Sequence, residues 1–126
     1  MTSYATGNFI INKKAGADLS ADQYRALVLN TSGELIKAGA NGQVIGFNHS
    51  RAAALGEVVE LASTGGGAKA IAGATITAND RLKSDANGAL IAITADTDFA
   101  CARALESAVA GDVFEVYVMD SDVNIT

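Results

Sequence analysis

Shifting the chain by 55 residues against itself brings like onto like. Leu27 falls on Leu82, Gly33 on Gly88, Leu35 on Leu90 and Ile36 on Ile91. Without a gap, Ala40, Ala53, Gly56, Val58 and Glu60 then meet Ala95, Ala108, Gly111, Val113 and Glu115. These are nine identities between residues 27–61 and 82–116, joined by conservative pairs such as Asn30 with Asp85 and Glu57 with Asp112. Two copies of so long a period are too few for a solenoid. They predict a duplicated β unit whose halves superpose about a pseudo-two-fold axis. This constrains the chain strongly, because whatever one half folds into, the other half must fold into as well.

Each half has the same grammar. An apolar run ("YRALVL", "DRL") leads into a turn cluster ("NTSG", "DANG") and a second run ("ELIKA", "ALIAI"). Gly33 and Gly88 supply the positive φ that a hairpin needs, and Asn87-Gly88 is the strongest short hairpin signal in the chain. Each half ends in a turn at Gly56 or Gly111 and a strand, "LGEVVELA" or "AGDVFEVYVM". Strict alternation in the latter sends Phe114, Val116 and Val118 to the core and Val113, Glu115, Tyr117 and Met119 outward. "AKAIAG" and "ATITA" read as further short β runs. Residues 18–23 read as a single turn, with Asp18 or Ser20 as a possible cap. The alanine-rich "DFACARALESAVAG" reads as strand plus loop and admits a short helix near 103–110. The fold class predicted is mainly β, a small single-domain barrel or sandwich with at most one or two short helices. The predicted organisation is an N-terminal arm over 1–17 that carries no repeat, a β domain over 18–119 and a tail over 120–126.

Composition narrows the function more than it names it. The length suits one domain with a core of its own. With seven aromatic residues in 126 and no tryptophan, that core must come from Val, Ile, Leu and Ala. A net charge of −5 with scattered cations disfavours nucleic acid and anionic membranes as partners. The single Cys101 can form neither an internal disulfide nor a cysteine metal cluster, and between two alanines it reads as a small buried residue. The opening "MTSYATGNFIINKK" lacks the basic start and long apolar run of a signal peptide. The expectation is a protein made and used in a reducing cytoplasm.

No catalytic constellation emerges. His49, the lone histidine, has no second histidine with which to share a metal and reads as a loop residue. "TGGGAK" departs from the phosphate-loop pattern and leads into a β run. "DSDVN" starts with calcium-loop offsets at Asp120, Asp122 and Asn124, but continues with Ile125 where glycine is required. Asp96 and Asp98, or Asp112, are the carboxylates an acid–base enzyme would use; in polar loops they read as solvating groups. No cofactor and no metal site is expected.

One resemblance adds a function. "DLSADQYRALVL", "NTSGELIKA", "VIGF", "GEVVELA", "AGATITANDRLKSDANGALIAI" and "AGDVFEVYV" follow one another as in the capsid cement, or head decoration, proteins of tailed bacteriophages. The similarity covers about residues 18–118. Asn79 stands where glycine is expected before the aspartate, although asparagine also tolerates positive φ. The resemblance implies a non-enzymatic structural protein of the virion. Such a protein assembles in the host cytoplasm onto the exterior of an icosahedral head, usually as a homotrimer. Its partner there is the major capsid protein, whose neighbouring subunits it bridges. On that reading Tyr4, Phe9, Ile10, Ile11, Lys13 and Lys14 of the arm are the candidate capsid contacts. Gly33, Gly56, Asn87, Gly88 and Gly111 are turn residues. The runner-up is a small β-barrel binding a ligand or carbohydrate, with Tyr4, Tyr24 or Tyr117 as a stacking platform.

Overall fold

The computed structural model describes residues 10–50, 53–63, 66–95 and 98–119. These residues form ten strands and no helix: β1 (Ile10–Lys14), β2 (Ala26–Leu29), β3 (Leu35–Lys37), β4 (Gly46–Asn48), β5 (Val58–Ser63), β6 (Gly67–Ile71), β7 (Arg81–Ser84), β8 (Leu90–Ala92), β9 (Ala102–Ala104) and β10 (Val113–Val118). They build two antiparallel five-stranded sheets, ordered β1-β5-β4-β2-β3 and β6-β10-β9-β7-β8. The second order is the first with five added to every strand. The fold is a β sandwich of two like units, and neither sheet closes into a barrel. In each, one isolated parallel bridge, Ala15 to Leu35 or Ala72 to Leu90, ties the end of the first edge strand to the opposite edge.

The duplication runs further than the sequence window. β1 pairs with β5 from Ile10↔Ala62 to Lys14↔Val58, and β6 pairs with β10 from Gly67↔Tyr117 to Ile71↔Val113. Residues 10–14 are therefore the structural counterpart of residues 67–71, and the repeat starts ahead of Gly16. The hairpins repeat atom for atom. The Asn30 carbonyl accepts from Gly33 N–H at 3.0 Å, and the Asp85 carbonyl accepts from Gly88 N–H at 3.3 Å. Asn30 Oδ1 takes the Ser32 and Glu34 amides; Asp85 Oδ1 takes those of Asn87 and Ala89. Gly33 and Gly88 lie at φ 77° and 76°, while Asn87 stays out of the left-handed region. The turn is thus a side-chain-braced loop ending in one left-handed glycine. Gly56 (φ 85°) and Gly111 (φ 92°) also correspond, each donating its N–H to an alanine carbonyl, Ala15 or Ala72.

Two local expectations differ from the structure. The segment 103–110 holds no helix: Ala102 and Ala104 point inward from β9, and Ala108 then bridges Ile76. Pairing satisfies its backbone, which outweighs the helix propensity of alanine. Within "ATITA" that same bridge at Ile76 is the pairing present, so the run is a linker.

The units are stacked head to tail. The interior of the first holds Leu19, Leu27, Leu35, Val59 and Leu61 as one cluster. A second cluster joins the interior of the second unit to the outer face of the first, through Ala26, Ala38, Val44, Phe47 and Ala62. Ala26, Phe47 and Ala62 are cross-strand neighbours in one row; in the second unit that row reads Arg81, Arg103 and Tyr117. Phe47 is fully buried, Arg103 half-buried and Tyr117 exposed. The polar contacts are equally one-sided. Gly88 O accepts from Ala26 N–H, Asn87 O from the Arg25 guanidinium, and Ser84 bonds Gly39, Asn41 and Gly42. A Cβ at Gly88 would press on Lys37, Arg25 and the Ala26 carbonyl, whereas one at Gly33 would meet open space. A two-fold interface would use the same residues on both sides. The expected pseudo-two-fold relation is therefore replaced by a heterologous one.

Candidate functional site

Among the described residues, the edge at β1 and the junction between the units are the regions whose geometry suits a partner. Of the arm residues, Tyr4 and Phe9 lie outside the described residues. Ile10 and Ile11 pair through their backbones with Ala62 and Leu61, and Lys13 and Lys14 with Val59 and Val58. β1 is an outermost strand, and Lys13 is half-buried while Lys14 is exposed. Lysines on an edge strand commonly discourage unwanted sheet-to-sheet pairing, so their presence does not require a partner. Beside β1 lies a wide open depression of about 1000 Å³ bordered by Asn12, Ser50, Glu57, Val58 and Glu60.

At the junction, a cleft of about 410 Å³ opens between Tyr24 and His49 of the first unit and Lys69, Leu105 and Glu115 of the second. Tyr24 sits at φ 68°, a left-handed conformation that costs a non-glycine residue roughly 1–2 kcal/mol. Its ring meets that of His49 edge to face, with centroids 5.8 Å apart. His49 Nε2 accepts the Lys69 N–H at 3.4 Å, which leaves Nδ1–H as the donor of a neutral imidazole. Burial depresses the imidazole pKa, as does nearby Lys69, against the opposing pull of Glu60. His49 is therefore a half-buried junction residue rather than a free loop histidine. Lys69 and Glu115 are direct cross-strand partners, so opposite charges share one wall.

The carboxylates considered for acid–base chemistry are engaged elsewhere. Asp98 is buried, and its Oδ2 accepts from Thr94 N at 2.8 Å, Lys83 Nζ at 2.9 Å and Ala95 N at 3.0 Å. Those bonds, the Thr94 amide first and Lys83 next, hold its pKa at about 2. Asp112 Oδ2 braces its own turn by accepting Val109 N–H at 3.1 Å. Asp96 lies outside the described residues. Burial pushes the Cys101 thiol up to about 12, which makes it an inert core group. Among the described residues no cluster of His, Cys, Asp or Glu could hold a metal, and no helix is long and apolar enough to cross a membrane.

The second unit carries different residues at the positions of Tyr24 and His49. Tyr24 corresponds to Asn79 and His49 to Leu105, since Tyr24 N–H bonds Asn48 O where Asn79 N–H bonds Ala104 O. The aromatic and the imidazole are thus additions of the first unit alone. Asn79 takes φ 81°, in place of the glycine that the resemblance leads one to expect.

No protein-family model and no curated protein matches the sequence. Among solved structures, the chain is similar to the N base of the head fiber gp8.5 of bacteriophage phi29, with a TM-score of 0.68 at 17% identity, over 92% of this chain and 98% of that one. At that identity the likeness is one of fold.

Proposed function

We propose that this chain is a structural, non-enzymatic protein of a bacteriophage head, carried on the outside of the shell and bound to major capsid subunits as a homo-oligomer, a trimer by family resemblance. The observation that carries the reading is the fold match to a phage head fiber base, which spans nearly the whole of both chains. The sequence resemblance to head decoration proteins supports it independently. The engaged states of Asp98, Asp112 and Cys101 agree with a structural role.

Tyr4, Phe9, Ile10, Ile11, Lys13 and Lys14 are the proposed attachment segment. Its physical rationale is an outermost strand preceded in sequence by two aromatic groups. Three tethered copies would bind with an avidity roughly 10²–10⁴ above one contact. The test is co-sedimentation with purified phage heads. The expected result is saturable binding that drops at least tenfold on deletion of residues 2–9, a change that leaves β1 intact. No association of the full chain with heads overturns the function; full retention by the deletion overturns the role of the arm. A strict monomer at high concentration in light scattering overturns the trimer.

A further inference from the structure

We propose that the cleft at the junction of the two units is a binding subsite for one ring of a neutral saccharide, with Tyr24 and His49 as its recognition groups. The duplicated fold supplies an internal control. The turn at residue 24 needs a left-handed residue, and the second unit meets that need with Asn79, a residue tolerant of positive φ. The first unit instead places tyrosine there, although a bulky side chain makes the conformation more costly. Strained residues of this kind concentrate at ligand sites, where the surroundings hold them in place. At the next aligned position, Leu105 of the second unit is replaced by His49, which the fold alone does not require.

The chemistry of the walls selects the ligand class. The volume lies within the range of small-molecule sites, about 300–1,000 Å³, and such sites favour junctions between domains. Lys69 and Glu115 face each other across adjacent strands, so the wall carries no net charge and favours neither an anion nor a cation. It does offer both donors and acceptors, and the polar side chains of His49 and Tyr24 line the same cleft. Leu105, half-exposed, adds apolar surface to the cleft that Tyr24 also lines. A sugar ring has the matching character: a C–H face for the apolar groups and a rim of hydroxyls for the polar ones.

The test is NMR titration of the full chain with the methyl glycosides of glucose, galactose, mannose and N-acetylglucosamine. Expected are saturable shifts of the Tyr24 and His49 ring signals with at least one glycoside. Tyr24→Asn reproduces the residue of the second unit and keeps the fold, so it should weaken binding about tenfold while raising the unfolding midpoint. His49→Leu reproduces Leu105 and provides a second folded variant with the same expected loss. The proposal is overturned by the absence of saturable shifts with all these glycosides. It is also overturned by unchanged binding in both folded variants, or by equal shifts with N-acetylglycinamide, which would indicate nonspecific amide contacts.

Discussion

The two units share strand order, register and turn chemistry, yet they live in different surroundings. The first unit is sheathed: its outer row of Ala26, Phe47 and Ala62 packs against the second unit. In the second unit the same row carries two half-buried arginines, Arg81 and Arg103, and the exposed Tyr117. Backbone hydrogen bonding therefore specifies the unit, while the side chains on one face specify how units are arranged. Ladder pairing and left-handed glycines recur wherever the fold recurs. Apolar surface appears where a neighbour covers it.

The sharpest way to break the comparison is at its aromatic centre. Phe47→Ala should cost about 3–5 kcal/mol in urea unfolding, whereas Arg103→Ala at the matching site should cost about 1 kcal/mol or less. Equal costs would mean that Phe47 does not mediate the stacking. The turn glycines come next. Gly33→Ala should lose about 1–2 kcal/mol, the price of a left-handed alanine, and Gly88→Ala about 3 kcal/mol, because its new methyl group also presses on the first unit. Matching losses would point back to a symmetric arrangement.

A smaller effect is expected within β4 and β9. A Cβ at Gly46 would collide with the Ala62 carbonyl and the Leu61 side chain, although the second unit carries Ala102 at the same place. Gly46→Ala should cost about 2 kcal/mol by overpacking, and Ala102→Gly about 1 kcal/mol through chain entropy. The smallest contrast concerns acid. Asp98 has no partner of this kind in the first unit, where Val28 stands in the place of Lys83. Its pKa is lowered on folding, so the stability it contributes is present above its ordinary value of 3.8 and is lost as the pH falls toward about 2. Asp98→Asn should remove that part of the slope when unfolding midpoints are compared between pH 6 and pH 2. Identical slopes would show that the carboxylate does not couple to folding.

Much of the unit was legible because its determinants are local. Asn30, Gly33, Asp85 and Gly88 mark the hairpins, and the alternation of β10 divides core from surface along Val113–Val118. The start of the repeat was hidden by a change of spacing. Ala15-Gly16-Ala17 recurs as Ala72-Gly73-Ala74 at an offset of 57, but from Ala26 through Lys37 the offset is 55, because the link before β7 is shorter. A fixed shift cannot find both. β4 was misaligned for the same reason, since Phe47 corresponds to Arg103 at an offset of 56. The head-to-tail arrangement leaves its trace as a difference between copies, Ala26 against Arg81 and Phe47 against Arg103, which a search for identities discards. The junction cleft depends on residues distant in sequence, 24, 49, 69 and 115, and no local pattern announces it.

The one-sided junction also bears on solubility. A heterologous contact can in principle repeat, giving rings when its rotation closes and fibres when it does not. One end of this stack still presents the receiving end of a unit, with Leu29 exposed and open space around Gly33. At the other end the corresponding row carries the cations Arg81 and Arg103, polar groups of the kind that terminal solenoid repeats use as a cap. Arg81→Ala, Arg103→Phe and Tyr117→Ala together would reproduce on the second unit the row that packs at the junction. The same backbone row thus carries a coupling face in one unit and a cationic face in the other, and three side chains make the difference.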